Sequence, residues 1–354
     1  MVRSLNSIGF GGDFVNKGTE KEQINLIKEA ISRGVNVIDT AEVYSDGRSE
    51  IVIGKSIKEC RSDVFVSTKF SPNNSSFKSI IVSCENSLKR LNTDYIDLYQ
   101  IHWPYPDSNE QVAKAFQLLK KQGKILNFGV CNYSKEHLVE INCFLEPEKV
   151  YSNQIEYNLF DRYIEGDILN YCKKQDIKIF AYSPLNKCRQ ILDNKVVKSL
   201  STKYRKTPAQ IALNWLTQKQ LVIALPKTNS IKNLILNIES NKFTLEKKDY
   251  QLLEDEKHKV HYILPSKIIV STSGEGNKKV YTTLNEAMNN KLNFSPSPVQ
   301  LSGMLDSKIK PVRLTYDQKQ NLYYLVEGRV RYWAWVIKNG FEKKIPSLIY
   351  NKKL

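Results

Sequence analysis

The sequence predicts an α/β fold, a (β/α)8 TIM barrel over residues 1–264 followed by a small α+β domain over 265–354. Three observations carry that prediction. Eight short runs rich in β-branched and aromatic residues alternate with amphipathic helical stretches, an order that calls for parallel strands joined by helical crossovers. The units fill about 240 residues, the length at which eight of them close on themselves. Polar residues recur at the C-terminal end of nearly every run. In a barrel those ends converge on one mouth, whereas in the competing doubly wound open sheet they would spread along an edge.

The expected strands are "SIGFGG" (7–12), "VNVIDTA" (35–41), "VFVSTKF" (64–70), "IDLYQIHW" (96–103), "NFGVCN" (127–132), "SNQIEYN" (152–158), "KIFAYSP" (178–184) and "VIALPKT" (222–228). Between the first two, "EKEQINLIKEAISRG" sets Ile24, Ile27 and Ile31 at helical spacing and stops at Gly34. "KSIIVSCENSLKRL" and "NEQVAKAFQLLKKQG" read the same way. "TPAQIALNWL" opens on a Thr-Pro pair, a cap followed by proline at the first helical position. "TLEKKDYQLLEDEKH" (244–258) reads as a helix closing the barrel. A Ser-, Gly- and Asn-rich segment (271–279) and a second loop-like stretch, "NFSPSPVQLSG" (293–303), come next. "KPVRLTYDQKQNLYYLVEG" then reads as a hairpin with the polar turn "DQKQN", a helix starts directly after Gly328, and "KIPSLIY" is the last strand.

Hydrophobic residues at 41% and charged residues at 25% are ordinary for a soluble globular chain. No apolar run approaches the roughly 18 residues of a membrane span, and the N-terminus lacks the apolar segment of a signal peptide. The six cysteines, Cys60, Cys84, Cys131, Cys143, Cys172 and Cys188, form no CxxC pair. They read as reduced thiols of a cytoplasmic protein, and no metal site is expected. The net charge is +16, and residues 265–354 hold 15 Lys+Arg against 6 Asp+Glu, a net +9. That local excess points either to an anionic partner, a nucleotide, a nucleic acid or an acidic protein, or to a lysine-rich solvated surface.

Four polar residues stand out at the strand ends. Asp39 ends the second run with Tyr44 in the loop beyond it, Lys69 ends the third, and His102 the fourth. Singly, an aspartate before a loop is an ordinary cap. Together at one mouth the four form a proton-donating group. A buried lysine beside a phenol favours phenolate and lowers the tyrosine pKa, while Asp39 keeps the lysine charged and in place. A phenol ordinarily near pKa 10 is thereby expected to exchange protons near neutrality.

"DTAEVYSDGRSE", "VSTKF", "LYQIHWP", "NFGVCNY", "NQIEYN", "AYSPL" and "LPKTNS", taken in order, resemble the aldo-keto reductases across about residues 5–260. The resemblance implies reduction of an aldehyde, ketone or sugar to an alcohol with NADP(H), or NAD(H), as cofactor. It implies Asp39, Tyr44, Lys69 and His102 as the catalytic four, Tyr44 protonating the carbonyl oxygen and His102 hydrogen-bonding it. Asn132 and Gln154 would hold the nicotinamide carboxamide, and Tyr182 would stack on its ring. Ser183 and Leu185 would line the pyrophosphate path, Lys227 and Thr228 would grip the adenosine 2′-phosphate, and Asn237 joins the cofactor-binding set. Three features depart from the family pattern. Cys131 stands where serine is common. Asn233 stands where an arginine usually clamps the 2′-phosphate, so the choice between NADPH and NADH is open. The loop "NKCRQILDN" is short, leaving the substrate pocket either open or completed by the second domain.

"YYLVEGRVRYWAWVIKNG" resembles the ParB/sulfiredoxin-like domain. That resemblance implies a nucleotide phosphate at a helix N-terminus, with Gly328 and Arg331 at the anion site. Arg329 occupies the place of the sulfiredoxin cysteine, which excludes that chemistry. Glu327 would repel phosphate unless it pairs with Arg329 or holds a ribose hydroxyl. Trp333 and Trp335 point to different sides of the helix, so at least one is expected at an interface, as in a homo-oligomer. Two readings from other classes stand beside the reductase: a cofactor-binding redox sensor with little turnover, and a nucleotide-binding module whose function sits in the C-terminal domain.

Overall fold

Eight parallel strands run in sequence order in the computed structural model, which describes residues 4–13, 18–105, 108–185, 190–256, 260–270, 280–294, 296–305, 309–318 and 320–351. They are β1 (Phe10–Gly11), β2 (Val37–Asp39), β3 (Phe65–Phe70), β4 (Ile96–Ile101), β5 (Ile125–Cys131), β6 (Ser152–Glu156), β7 (Lys178–Tyr182) and β8 (Val222–Ala224). All eight expected runs form strands; seven are shorter than the expected run, and β5 instead begins two residues earlier, at Ile125. The barrel closes between its first and last strands. The Gly9 N–H donates to the Ala224 carbonyl at 2.8 Å and the Ala224 N–H to the Ser7 carbonyl at 2.8 Å.

Strand side chains alternate sides with period two, and this alternation builds the interior in layers. Val37, Phe65, Leu98, Phe180, Ile223 and Leu225 pack together as an apolar floor. Two residues further along the same strands come Asp39, Ser67 and Gln100, and two further again Lys69 and His102. The barrel interior therefore turns from apolar to polar toward its C-terminal mouth, where barrel chemistry is sited.

The helices on the outside start and stop on local chemistry. Thr19 and Glu22 form a reciprocal capping box for the helix Glu20–Ser32, as do Thr207 and Gln210 for Pro208–Thr217. The closing helix Lys247–Asp255 is tied down by Glu254, whose carboxylate accepts from Trp215 Nε1 at 2.8 Å and Lys219 Nζ at 2.7 Å. No described helix is long and apolar enough to cross a membrane.

The chain divides into two compact units, residues 1–104 with 108–257 and residues 105–107 with 258–354. The break falls ahead of the expected one after residue 264, because β9 (Val260–Ile263) pairs with β13 (Ile345–Asn351) of the second sheet. That sheet adds β10 (Ile268–Ile269), β11 (Val312–Asp317) and β12 (Leu322–Glu327), in the order β10-β12-β11-β13-β9. β11 and β12 form the expected antiparallel hairpin, and the helix Arg329–Asn339 follows Gly328 as read. Gly328 sits at φ +96°, a left-handed conformation that glycine adopts without a Cβ penalty.

Two expectations for this unit are corrected. The stretch 293–303 is not all loop: Ser297 and Gln300 form a capping box and Pro298 opens the helix Pro298–Met304. Neither Trp333 nor Trp335 lies at an exposed interface. Both belong to the unit's own core with Tyr281, Val312, Leu314, Leu325 and Tyr332. Their ring N–H groups are satisfied internally, Trp333 by the Tyr281 carbonyl and Trp335 by the Lys343 carbonyl, each at 3.0 Å. The segment 271–279 and Cys188 lie outside the described residues.

Candidate active site

The polar layer is organised around one carboxylate. Asp39, at the end of β2 and 3% exposed, accepts at Oδ2 from Lys69 Nζ at 2.7 Å and Gln154 Nε2 at 3.0 Å, and at Oδ1 from Ser67 Oγ at 2.8 Å. Lys69, 1% exposed, also donates to the Thr40 carbonyl at 2.6 Å. Burial alone would push the Lys69 ammonium down. The adjacent Asp39 carboxylate outweighs it and holds Lys69 above its ordinary value, so the lysine is cationic.

Tyr44 and His102 lie above this pair. Their rings meet edge to face at 5.6 Å between centroids, and Lys69 Nζ is 5.1 Å from the centre of the Tyr44 ring. The expected lowering of the phenol pKa is corrected here. Burial pushes Tyr44 up to about 12; Lys69 pulls against it without prevailing, and Asp39 adds to the rise. The phenol is therefore held neutral with its proton in place. Burial pushes His102 down to about 3, with repulsion from Lys69 adding to it, so the imidazole is neutral.

The His102 shift has a consequence for folding. Its folded pKa lies below the ordinary histidine value near 6.5, so between those limits the unfolded chain binds a proton that the folded chain refuses. Stability should fall as pH drops from about 6.5 toward about 3, by on the order of 2 kcal/mol after allowance for the partial exposure of the ring. His102→Gln should flatten that acid limb in denaturant midpoints measured against pH. Parallel limbs for the two proteins would mean that folded His102 takes up the proton freely.

The residues expected at the cofactor fall along one side of the mouth. Asn132, just past β5, sits at φ +60°, a left-handed position that asparagine tolerates. Its Oδ1 accepts from Tyr182 OH at 2.9 Å. Gln154 is engaged with Asp39, and Cys131 Sγ lies 3.7 Å from Gln154 Oε1, a weak contact, since a thiol is a weaker donor than a serine hydroxyl. Ser183, at φ +48°, accepts through its carbonyl from Asn158 Nδ2 at 3.2 Å. Leu185 is half-buried just beyond, and residues 186–189 lie outside the described set.

Lys227, past β8, is paired with Asp13 at 2.9 Å. Thr228 Oγ1 accepts from the Ser230 N–H at 3.1 Å, and Ser230 caps the helix Ile231–Glu239. Asn233 and Asn237 are four residues apart on that helix, hence on one face of it. The structure thus joins Asp39, Lys69 and Gln154 directly, brings Tyr44 to His102, and joins Asn132 to Tyr182.

Three residues of the layer were not singled out from sequence: Ser67, Gln100 and Gly129. Gln100 Nε2 donates to Ser67 Oγ and to Gln154 Oε1, both at 2.9 Å. Gly129 leaves the room for it, since a Cβ there would lie 3.0 Å from Gln100 Oε1 and 2.6 Å from Ser152 Oγ. The available signal was the strand alternation. Ser67 precedes Lys69 by two and Gln100 precedes His102 by two, so each shares the inward face of a residue already marked.

At the turn of the second unit, Arg331 Nη1 donates to the Lys310 and Pro311 carbonyls, each at 2.9 Å. Glu327 pairs with Arg313 at 2.6 Å rather than with Arg329, whose guanidinium donates to the Val326 carbonyl at 3.0 Å.

Residues 7–257 match the model of the aldo/keto reductase family. Methylglyoxal reductase YeaE of Escherichia coli is 34% identical over 240 residues, covering 66% of this chain and 84% of that protein. Glyoxal reductase of Bacillus subtilis is 33% identical over 249 residues, covering 70% and 87%. Among solved structures, an aldo/keto reductase from Klebsiella pneumoniae in complex with NADP and acetate superposes with a TM-score of 0.68 at 29% identity, covering 71% of this chain and 91% of that one. The family match ends at residue 257, where the first unit ends. A barrel with an Asp–Lys pair buried under a tyrosine and a histidine, matched over most of its length, places this chain in the aldo/keto reductase family.

Proposed function

We propose that the chain reduces small carbonyl compounds, α-oxoaldehydes of the glyoxal type first among them, to alcohols with NADPH, and that Tyr44 is the proton donor. Membership of the family and the likeness to NADP-bound reductases support an NAD(P)H-dependent oxidoreductase. The relatives named as methylglyoxal and glyoxal reductases motivate the substrate class. The observation that carries the reading is the neutral Tyr44 phenol standing over a buried lysinium–carboxylate pair.

The donor set fits a nicotinamide dinucleotide. Gln154 and Asn132 offer amide groups to a carboxamide, Tyr182 offers a half-buried ring, and Lys227, Thr228 and the helix N-terminus beyond them offer cationic and N–H donors to phosphate. The bound cofactor supplies hydride. The chain's part is to hold and move a proton. Tyr44 releases its proton to the substrate oxygen as negative charge grows there, and Lys69 stabilises the phenolate left behind. His102, neutral, donates a hydrogen bond to the same oxygen. Asp39 keeps Lys69 charged and aimed. The test is absorbance of NADPH in the presence of the purified chain and methylglyoxal, glyoxal, simple aldehydes or aldoses. Failure to oxidise NADPH with any of them removes the proposal.

Discrimination for NADPH over NADH should be weaker than in members bearing an arginine at the Asn233 position. Lys227 is a point charge already shared with Asp13, and Asn233 cannot fork onto a phosphate. Asn233 is exposed in the first turn of its helix, so Asn233→Arg should fold normally and tighten NADP⁺ by roughly 1–2 kcal/mol. Unchanged affinity in fluorescence titration would put the 2′-phosphate elsewhere. For the second unit, the anion-binding reading at Gly328 and Arg331 is weakened by the carbonyls that occupy Arg331 Nη1, and the geometry favours a packed accessory domain.

A further inference from the structure

Asp39 is the sink of a closed ring of hydrogen bonds in which each donor direction follows from the one before. An ionised carboxylate only accepts, so Gln154 must turn Nε2 toward Asp39 Oδ2, at 3.0 Å. That turns Gln154 Oε1 away from the carboxylate and toward Gln100, which must therefore present its own Nε2, at 2.9 Å. The second Nε2 hydrogen of Gln100 goes to Ser67 Oγ at 2.9 Å, and the Ser67 proton is left to go to Asp39 Oδ1 at 2.8 Å. Gln100 Oε1 in turn accepts from Ser152 Oγ at 3.3 Å. Ser67, Gln100 and Ser152 have no exposure, and Gly129 supplies the space that Gln100 occupies. Flipping Gln154 would set its Oε1 against Asp39 Oδ2 and its Nε2 against Gln100 Nε2, and flipping Gln100 would set its Oε1 against Gln154 Oε1 and take the donor from Ser67 Oγ, so the ring has one orientation.

We infer that Gln100, acting with Ser67, is a positioning residue for carbonyl reduction, coupling the Asp39–Lys69 pair to the amide of Gln154. This rests on the proposed function, in which Gln154 meets the cofactor and Asp39 aims Lys69 at Tyr44. Gln100 touches neither reacting group. It fixes the carboxylate through Ser67 and the amide directly. With one Nε2 hydrogen of Gln154 held by Asp39 and its Oε1 held by Gln100, with Cys131 Sγ beside it, the second N–H of that amide is left in a set orientation for a carboxamide. The ring thus places the proton-donating side and the cofactor side of the site relative to each other.

The test compares the full-length wild type with Gln100→Leu and Ser67→Ala, reading kcat and KM for methylglyoxal, the pH profile of kcat, and NADPH affinity by fluorescence. Gln100→Leu should lower kcat by roughly 10- to 100-fold, the scale set by outer-sphere orienting groups and small misplacements. Substrate KM should stay near wild type, the alkaline limb of the profile should move, and NADPH should bind several-fold more weakly. Ser67→Ala should shift the same quantities less. A role confined to stability would lower the melting temperature and leave the profile and the affinity in place. Wild-type kcat, pH profile and NADPH affinity in folded Gln100→Leu would overturn the inference. Should that variant not fold, the same result in Ser67→Ala overturns it. If the wild type reduces no carbonyl, the proposed function falls, and NADPH affinity unchanged in both variants would still refute the coupling on its own.

Discussion

Tyr44→Phe should abolish carbonyl reduction while NADP⁺ binding stays within a few fold of wild type. Loss of a positioned general acid typically costs 10²–10⁴ in rate, and here no neighbouring group can take the role. His102 is pushed down to about 3 by burial, so it is neutral and a poor acid at neutral pH. Lys69 is held above its ordinary value by Asp39 and gives up its proton with difficulty. The phenol is neutral, protonated and stabilised by a nearby cation when it loses its proton, whereas burial holds the neighbouring Cys131 thiol well above its ordinary value. Phenylalanine keeps the ring that packs against His102, so the fold and the mouth should survive. Single-turnover measurements with pre-bound NADPH separate the chemical step from release. A variant that reduces a good substrate at the wild-type rate would show that the proton comes from elsewhere.

Lys69→Met should cost about 3–5 kcal/mol of stability, the usual penalty for breaking a buried ion pair from one side. Methionine fills much of the lysine volume, so the loss reports charge more than packing. Asp39 would keep only Ser67 and Gln154 as donors in a place where water does not reach it. The pH dependence follows from the raised lysine. A group whose folded pKa exceeds its unfolded one contributes fully below the unfolded value, near 10.4 for lysine, and loses that contribution as pH rises through the folded one. The destabilisation should therefore be undiminished at neutral pH. Adding Asp39→Asn should return much of the stability without returning activity, because an amide can stay buried with its partners. Denaturant midpoints of the three chains decide the matter. A loss under about 1 kcal/mol in Lys69→Met would mean that Asp39 is neutral or solvated.

The barrel was legible because eight apolar runs carry the same signal and reinforce one another. Strand ends were less so: apolar residues such as Val35 and Val64 are buried next to a strand without joining its ladder. Asp39, Tyr44, Lys69 and His102 could be picked out because polar residues are conspicuous at the end of an apolar run. Ser67 and Gln100 were hidden inside runs read as merely strand-forming. The direction of the Tyr44 shift was misread for a related reason. Sequence displays which charges are near, and those favour phenolate, but it does not display depth, and burial is the larger effect. In the second unit, Trp333 and Trp335 are two apart on a helix and so diverge by about 200°. A small domain that covers its helix on both sides can bury both, and sequence spacing cannot reveal that cover.

Closure of the barrel through Gly9 and Ala224 also bears on how the chain is made. The two partners lie at opposite ends of the barrel sequence, so during synthesis β1 leaves the ribosome long before β8 exists. Until then the growing sheet has a raw edge at each side, the kind of surface that pairs with other chains. Because the strands are parallel, no local hairpin can shield those edges in the meantime. The long-range closing contact also makes folding slow relative to a chain of local contacts. Sealing both edges at once therefore has to wait until Val222–Ala224 is free to meet the first strand.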